Sequence, residues 1–314
     1  MYKGQTGKPV NEGTQERVGL LSPPGSELNP VSPRVLQELL HKHGIKPQKR
    51  LGQNFLVDGN VLRKITAAAG VTPADSILEV GAGAGALTKA LAEQAGMVTA
   101  VEKDRSLAPV LREVMGEREN LRLIFADILK VDLQALLANE GSTGAGMNLK
   151  VVANIPYYIT SPLIFHLLES GINWRLLVFL VQKEVAERIA AAPGSKRYGA
   201  LSVGVQYHAE VELLGTVPPS VFFPRPQVSS AILRLVPKKK EGSAETERLF
   251  KLLVRTVFNA RRKTMAKALR GIAPELGGEK RLQEAFQALG LDPGGRGEDL
   301  SVADFLSLAS YLAE

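Results

Sequence analysis

From residue 76 onward the chain alternates short apolar runs, at 77–80, 98–102, 121–126, 151–154 and 176–181, with stretches of helical length and polarity. Runs that stay apolar at successive positions bury both faces of a strand, and helical connections between them leave the strands parallel. The pattern predicts a doubly wound, Rossmann-like α/β sheet. Two further strands, near 209–217 and 230–236, flank the stretch VPPSVFFPRPQ. That connection has no room for a helix, so this last pair is expected to be antiparallel. Upstream, helices are expected over 32–43, closed by Gly44, and over about 60–69. From Thr246 on, the spacing of Leu249, Leu252, Leu253, Thr256 and Val257 is helical, and PKKKEGSAE before it reads as a linker. The expected organisation is a disordered tail over 1–30, rich in Gly, Pro, Ser, Gln and Glu, an α/β domain over 31–237 and a small helical domain over 238–314.

Composition narrows the class. The 314 residues are 45% hydrophobic and 23% charged, an ordinary globular balance, and no run approaches the ~20 apolar residues of a membrane span. The first thirty residues have no apolar centre of the kind a signal peptide carries, so a cytoplasmic protein without membrane contact is expected. Cysteine is absent, which removes disulfides, thiolate nucleophiles and Cys-based zinc sites. His41, His43, His166 and His208 show no metal-ligand spacing, and no metal is expected. The net charge of +7 is unevenly placed: residues 234–281 hold fourteen Lys or Arg against five Asp or Glu, and the remainder is close to neutral. A basic segment beside a near-neutral domain points to a polyanionic partner.

The stretch SILEVGAGAGALT runs a strand into Gly81, Gly83 and Gly85 and then into a helix. Such a turn lets a ligand lie against the backbone near the helix's amides, though a bare strand-to-helix turn has the same spelling. The next strand ends in Glu102, placed to accept hydrogen bonds from ribose hydroxyls. The following one ends in Asp127, which reads either as an acceptor for an adenine amino group or as a helix N-cap. The spacing is G-x-G-x-G with Glu79 two residues before it, and a neutral glycine turn among carboxylates suits a cationic cofactor without phosphates better than a pyrophosphate. S-adenosylmethionine has that chemistry. Ligands of doubly wound sheets bind beyond the carboxyl ends of the strands, so Gly81, Glu102, Asp127 and Asn154 are expected in one crevice.

Asn154 closes the strand of KVVANIPYYITSP. The exocyclic amine of an adenine is a poor nucleophile, because its lone pair is delocalised into the ring. Acceptors for its two N–H groups help the nitrogen become tetrahedral as it attacks a methyl group. The Asn154 side-chain oxygen and the backbone carbonyl of Ile155 or Pro156 are of the right type, with Pro156 fixing the turn. Tyr157 is placed to stack on the base, Tyr158 to pack beside it, and Phe222 is a candidate for the base's other face. For Tyr158 and Phe223, core packing is the simpler reading.

These stretches, with KRLGQNFLVD, VEKD, ADIL, VPPSVFFPRPQVSSAILRL and FNARRKTMAKAL, resemble the adenine-N6,N6-dimethyltransferases of small-subunit ribosomal RNA from about residue 46 to the C-terminus. The resemblance implies a class I S-adenosylmethionine-dependent methyltransferase domain followed by a small α-helical domain, acting as a monomer. By motif position it implies cofactor contacts at Asn54, Leu56, Gly81, Gly83, Glu102, Asp127 and Asn154, and RNA contact at Arg261, Arg262 and Lys263. The implied activity is transfer of methyl groups to N6 of two adjacent adenines in the 3′-terminal hairpin loop of small-subunit RNA. The implied partner is a pre-30S particle late in ribosome biogenesis.

Three alternatives make different predictions. A large-subunit adenine-N6 methyltransferase of the antibiotic-resistance type shares the Asn-Ile-Pro-Tyr motif, but ITSPLIF and the Pro-rich loop look more like the small-subunit enzymes. A nicotinamide oxidoreductase would bind NADH and have no use for that motif. A noncatalytic RNA-binding assembly factor would not need Gly81, Glu102, Asp127 and Asn154 together.

Overall fold

A computed structural model describes residues 30–138, 148–239 and 242–314. The tail expected over 1–30 therefore lies outside the described residues but for Pro30. The helices are α1 (Pro33–Lys42), α2 (Gly59–Ala69), α3 (Ala86–Ala92), α4 (Ala108–Met115), α5 (Leu133–Ala138), α6 (Thr160–Leu168), α7 (Lys183–Ile189), α8 (Ala200–His208), α9 (Ala244–Asn259), α10 (Met265–Leu269), α11 (Glu279–Ala288) and α12 (Val302–Ala313). The strands are β1 (Phe55–Leu56), β2 (Asp75–Val80), β3 (Met97–Glu102), β4 (Leu121–Phe125), β5 (Asn148–Asn154), β6 (Leu176–Gln182), β7 (Ala209–Val217), β8 (Phe222–Phe223) and β9 (Ser230–Pro237).

The chain divides into two compact units, one reaching Pro156 and including Val221–Arg225, the other comprising Tyr157–Ser220 and Pro226–Glu314. The boundary expected near residue 238 thus falls inside the second unit. In the first unit the strands run in the order β4-β3-β2-β5, all parallel, as their unbroken apolar runs predicted. β2 is buried at all six positions, and β4, at the outer end of this order, is half-buried throughout. A two-residue antiparallel ribbon, β1 with β8, joins Phe55 to Phe223 and Leu56 to Phe222. Nothing in the sequence announced it, because two residues are too few to show a period.

The first unit also encloses a buried ion pair. Lys150 of β5 places its Nζ 2.8 Å from Asp75 Oδ2 at the start of β2, 2.8 Å from Gly70 O and 3.0 Å from Ala69 O. Both carbonyls belong to the end of α2, where a cation also meets the negative end of the helix dipole. Burial alone would raise the Asp75 pKa; Lys150 and the Thr72 N–H and hydroxyl outweigh it and hold the carboxyl below its ordinary range.

In the second unit β6, β9 and β7 lie side by side, all antiparallel, with a bulge in β7 between Leu213 and Gly215. The expected pairing of 209–217 with 230–236 is present. The C-terminal helices do not form a core of their own. Leu249, Leu253, Val257, Phe286, Phe305 and Leu308 close on Ala191, Tyr198 and Val203 from the segment around α7 and α8, which is why the boundary near 238 does not hold as a division of contacts. The two helices α7 and α8 were not foreseen. Among the described residues no helix is long and apolar enough to cross a membrane, and no cluster of His, Asp or Glu is arranged to hold a metal ion.

Candidate active site

β2 ends at Val80, and Gly81, Gly83 and Gly85 follow with φ of 81°, 58° and 88° before α3 begins. Two of these glycines are crowded as well as left-handed: a Cβ on Gly83 would sit 3.1 Å from Phe55 Cδ1, and one on Gly85 2.7 Å from Met115 Cε. At Gly81 φ alone asks for glycine, since a Cβ there would make only ordinary contact with Asn154 O at 3.5 Å and Pro156 Cδ at 3.8 Å. The turn thus lies between Phe55 and the end of β5.

Glu102, at the end of β3, binds this turn directly. Its Oε2 accepts from Gly83 N at 2.8 Å and its Oε1 from Asp104 N at 2.7 Å. Burial raises its pKa, against the pull of those two N–H groups, and the Asp104 carboxylate adds to the rise. Asp104 in turn gathers the basic segment before α2: Gln53 Nε2 donates to its Oδ2 at 2.7 Å and Gln48 Nε2 at 3.0 Å. Sequence reasoning missed both Gln53 and Asp104. The signal was present in GQNF and VEKD, yet spacing alone cannot show that two segments about fifty residues apart meet.

Asp127 takes the capping role of the two open to it and adds an ion pair. Its Oδ1 accepts from Leu129 N at 3.3 Å, capping the turn Ile128–Lys130, and its Oδ2 lies 2.9 Å from Lys103 Nζ. Burial would raise its pKa, but Lys103 and the Leu129 N–H hold it down, so it stays ionised.

Glu79 is the most unusual group in the turn's surroundings. It is fully buried in β2, and neither Oε1 nor Oε2 finds a hydrogen-bond partner; the buried Thr88 hydroxyl is unpaired as well. Its pKa is pushed up to about 8, chiefly by burial and in lesser part by the Glu102 carboxylate, against an opposing pull from Thr88. A glycine turn with no cationic side chain of its own, beside the carboxylates of Glu102 and Asp127 at the neighbouring strand ends, suits a cationic nucleoside better than a phosphate. The residues present thus fit S-adenosylmethionine.

A stability prediction follows from Glu79. Its folded pKa of about 8 exceeds the ordinary 4.5, so the folded chain keeps the proton while the unfolded chain loses it. The penalty is absent below about 4.5, grows as pH rises and is complete above about 8. Glu79→Gln should therefore gain stability relative to the parent as pH rises from 5 to 8, measured by urea denaturation without cofactor; parallel curves would contradict it.

Asn154 carries the clearest geometry. Its Nδ2 donates to Asn54 O at 3.2 Å, while Asn54 Nδ2 donates to Gly52 O at 3.1 Å. The amide is thereby oriented with Oδ1 free of any partner among the described residues, at the end of β5 where the glycine turn passes. Leu56 is buried in β1, so its contact with a cofactor would come from its backbone. Pro156 is half-buried behind Gly81.

The aromatic candidates divide. Tyr157 opens a short turn in the second unit; it is half-buried and its hydroxyl lies 3.0 Å from Ser230 Oγ. Burial raises its pKa, against the hydrogen bond to Ser230. Phe222 is 5% exposed, packed in β8, so it offers no open platform in the free chain. Tyr158, expected to pack, is 50% exposed. It lies in the turn Tyr157–Ile159, none of whose residues is buried.

Of the three basic residues expected to touch RNA, Arg262 and Lys263 are exposed, and their side chains make no hydrogen bond or ion pair among the described residues. Arg261 is committed elsewhere: Nε donates to Glu298 Oε2 at 2.8 Å, and Nη2 to Lys196 O at 2.8 Å and Tyr198 O at 3.1 Å. Three of the five donors of Arg261, expected among the RNA contacts, are thus already used within the chain.

A parallel sheet with a glycine turn, an acidic group at the end of the next strand and an acceptor-presenting Asn-x-Pro defines a class I methyltransferase that uses S-adenosylmethionine. Residues 44–314 match the family model of ribosomal RNA adenine dimethylases, and the chain belongs to that family. It is 46% identical over 277 residues to the ribosomal RNA small subunit methyltransferase A of Moorella thermoacetica, covering 87% of this chain and 95% of that one. The protein of the same name from Geobacillus thermodenitrificans is 43% identical, covering 90% and 96%. Among solved structures, a dimethyladenosine transferase from Plasmodium falciparum superposes with a TM-score of 0.68 at 26% identity, covering 81% of this chain and 95% of that chain. The 23S rRNA methyltransferase ErmE superposes with 0.64, also at 26% identity, covering 83% and 100%.

Proposed function

We propose that this enzyme methylates N6 of two adjacent adenines in the 3′-terminal hairpin loop of small-subunit ribosomal RNA, within a late pre-30S particle and as a monomer. The observation that carries the chemistry is the Asn154 amide, fixed through Nδ2 so that Oδ1 stands ready to accept. Bound S-adenosylmethionine supplies an electrophilic methyl carbon on a sulfonium. Asn154 Oδ1 accepts one N6–H of the adenine and the carbonyl of Ile155 or Pro156 the other, drawing the lone pair out of the ring as the N–C bond forms and the methyl's C–S bond breaks, a neutral thioether being the leaving group. No strong base is needed, since the nitrogen becomes acidic only as it is methylated, and water takes the proton.

Glu102 and Asp127 hold ribose and adenine of the cofactor, with Gly81, Gly83, Asn54 and Leu56 offering backbone. Tyr157 and Phe222 supply rings for stacking on the base, which is worth about 1–3 kcal/mol per base. Phe222 must become accessible for this. Arg262 and Lys263, in the helical region after residue 238, contact phosphates.

The small-subunit substrate is favoured over large-subunit RNA by relatives of over 40% identity that carry the small-subunit name, against 26% for ErmE. The test is mass mapping of RNA after incubation with labelled methyl donor. Dimethyladenosine at two adjacent positions in small-subunit particles is expected; label only in protein-free large-subunit RNA would overturn the assignment. Reversing Arg262 and Lys263 to Glu should weaken particle binding and lower the slope of log K against log salt by up to about 2, and an unchanged slope would remove both from the interface.

A further inference from the structure

We infer that Arg261 is a positioning residue, the brace of a composite phosphodiester-binding surface to which Lys196 belongs together with Arg262 and Lys263. The inference rests on the RNA-binding reading above and adds a second chain segment to it.

Three segments meet at one ion pair. Arg261 follows the end of α9, in a turn closed by Lys263 N to Ala260 O at 2.7 Å. Its Nε donates to Glu298 Oε2, and its Nη2 to the carbonyls of Lys196 and Tyr198. Glu298 holds the same loop a second time, its backbone O accepting from Gly194 N at 2.7 Å. The segment carrying Glu298 has no slack, because a Cβ on Gly297 would lie 1.8 Å from Val257 Cγ1. The loop is pinned from its other side by Tyr198, whose ring is fully buried in the helical core and meets Phe258 edge-on with centroids 6.0 Å apart.

The charges then sort themselves. Glu298 is paired with Arg261 and, at 3.9 Å, with Arg296 Nη1, and Arg197 is paired with Glu187. Lys196, Arg262 and Lys263 remain exposed, with no ion pair among the described residues. Lys196 is carried on the residue whose carbonyl Arg261 grips, and Arg262 and Lys263 are its own chain neighbours. One guanidinium therefore sets the spacing of three cations. Were it to leave for a phosphate, it would leave the Glu298 carboxylate with only the longer pair to Arg296 beside an incoming polyanion and release two carbonyls.

The two roles for Arg261 predict opposite signs at Glu298. If Arg261 gripped RNA, Glu298 would be its competitor, and Glu298→Gln would tighten binding. If Arg261 is the brace, Glu298→Gln and Arg261→Gln each weaken binding of small-subunit particles about tenfold, and the double variant is no worse than either. KM for particles should rise with kcat and cofactor affinity unchanged, and Lys196→Ala should lower the salt slope by about 1. Arg261→Lys decides the matter even if Glu298→Gln does not fold, since lysine serves a phosphate but cannot span a carboxylate and two carbonyls from one planar group. Tighter binding by Glu298→Gln, or wild-type binding by Arg261→Lys, overturns the inference. Wild-type binding that ignores salt would instead sink the RNA-contact reading beneath it.

Discussion

Asn154→Ala should leave the fold intact and raise the single-turnover barrier to methyl transfer by about 2–4 kcal/mol, a rate loss of roughly 30- to 1,000-fold. The interaction lost is one made mainly in the transition state, when N6 turns tetrahedral and its N–H groups become strong donors. The ground-state loss is small: a single bond from Nδ2 to Asn54 O at 3.2 Å, worth about 1 kcal/mol net. Stability and rate should therefore separate, the denaturation midpoint moving little. Asn154→Asp refines the test. It keeps an acceptor but has no N–H for the Asn54 carbonyl, so the acceptor is present but no longer held, and an activity between parent and alanine variant is expected. A turnover by Asn154→Ala equal to the parent's would refute the role.

Asp75→Ala should be the most destabilising of the simple substitutions considered, by about 3–5 kcal/mol, because it leaves the Lys150 ammonium buried with only two carbonyls for company. The complementary change, Lys150→Met, strands the Asp75 carboxylate, whose Oδ1 already lacks a partner. Replacing both together should cost much less than the sum of the two, since a buried pair exchanged for apolar groups is near neutral. The parent should also lose stability in acid. With its folded pKa lowered, Asp75 contributes above its unfolded value, and the contribution fades as pH falls through the folded one. A urea midpoint for Asp75→Ala within about 1 kcal/mol of the parent would show that the pair contributes little.

The parallel strands were legible because burial on both faces writes an unbroken apolar run, and that signal needs no partner to be read. β2, β3, β5 and β6 fall within a few residues of the expected runs. The antiparallel end was legible for a negative reason, since a Pro-rich connection cannot hold a crossover helix. The helices α7 and α8 were not, because the mean spacing of their apolar residues is blurred by faces buried on more than one side: Val203, Val205 and His208 of α8 are all buried. The β1–β8 ribbon is too short to have a period at all.

The site followed the same division. Gly81, Gly83, Glu102, Asp127 and Asn154 could be named from their position at strand ends, where doubly wound sheets bind ligands. Their actual partners could not. Glu102 spends one oxygen on Gly83 N, and Asp104, a neighbour of Glu102 in the chain, ties down Gln48 and Gln53. These are long-range meetings that residue type does not encode.

By itself, then, the order of residues determined the sheet class, the glycine turn and the identity of the methyl-transfer chemistry, because each depends on local pattern or on residue type at a strand end. Tertiary structure alone decided which way the Asn154 amide faces, that Glu79 lies buried without a partner, and that the Arg261 guanidinium is bonded to Glu298 and two carbonyls while the side chains of Arg262 and Lys263 are not. The physical reason is common to all three: hydrogen-bond direction and desolvation are properties of what a group meets, and what it meets comes from distant parts of the chain.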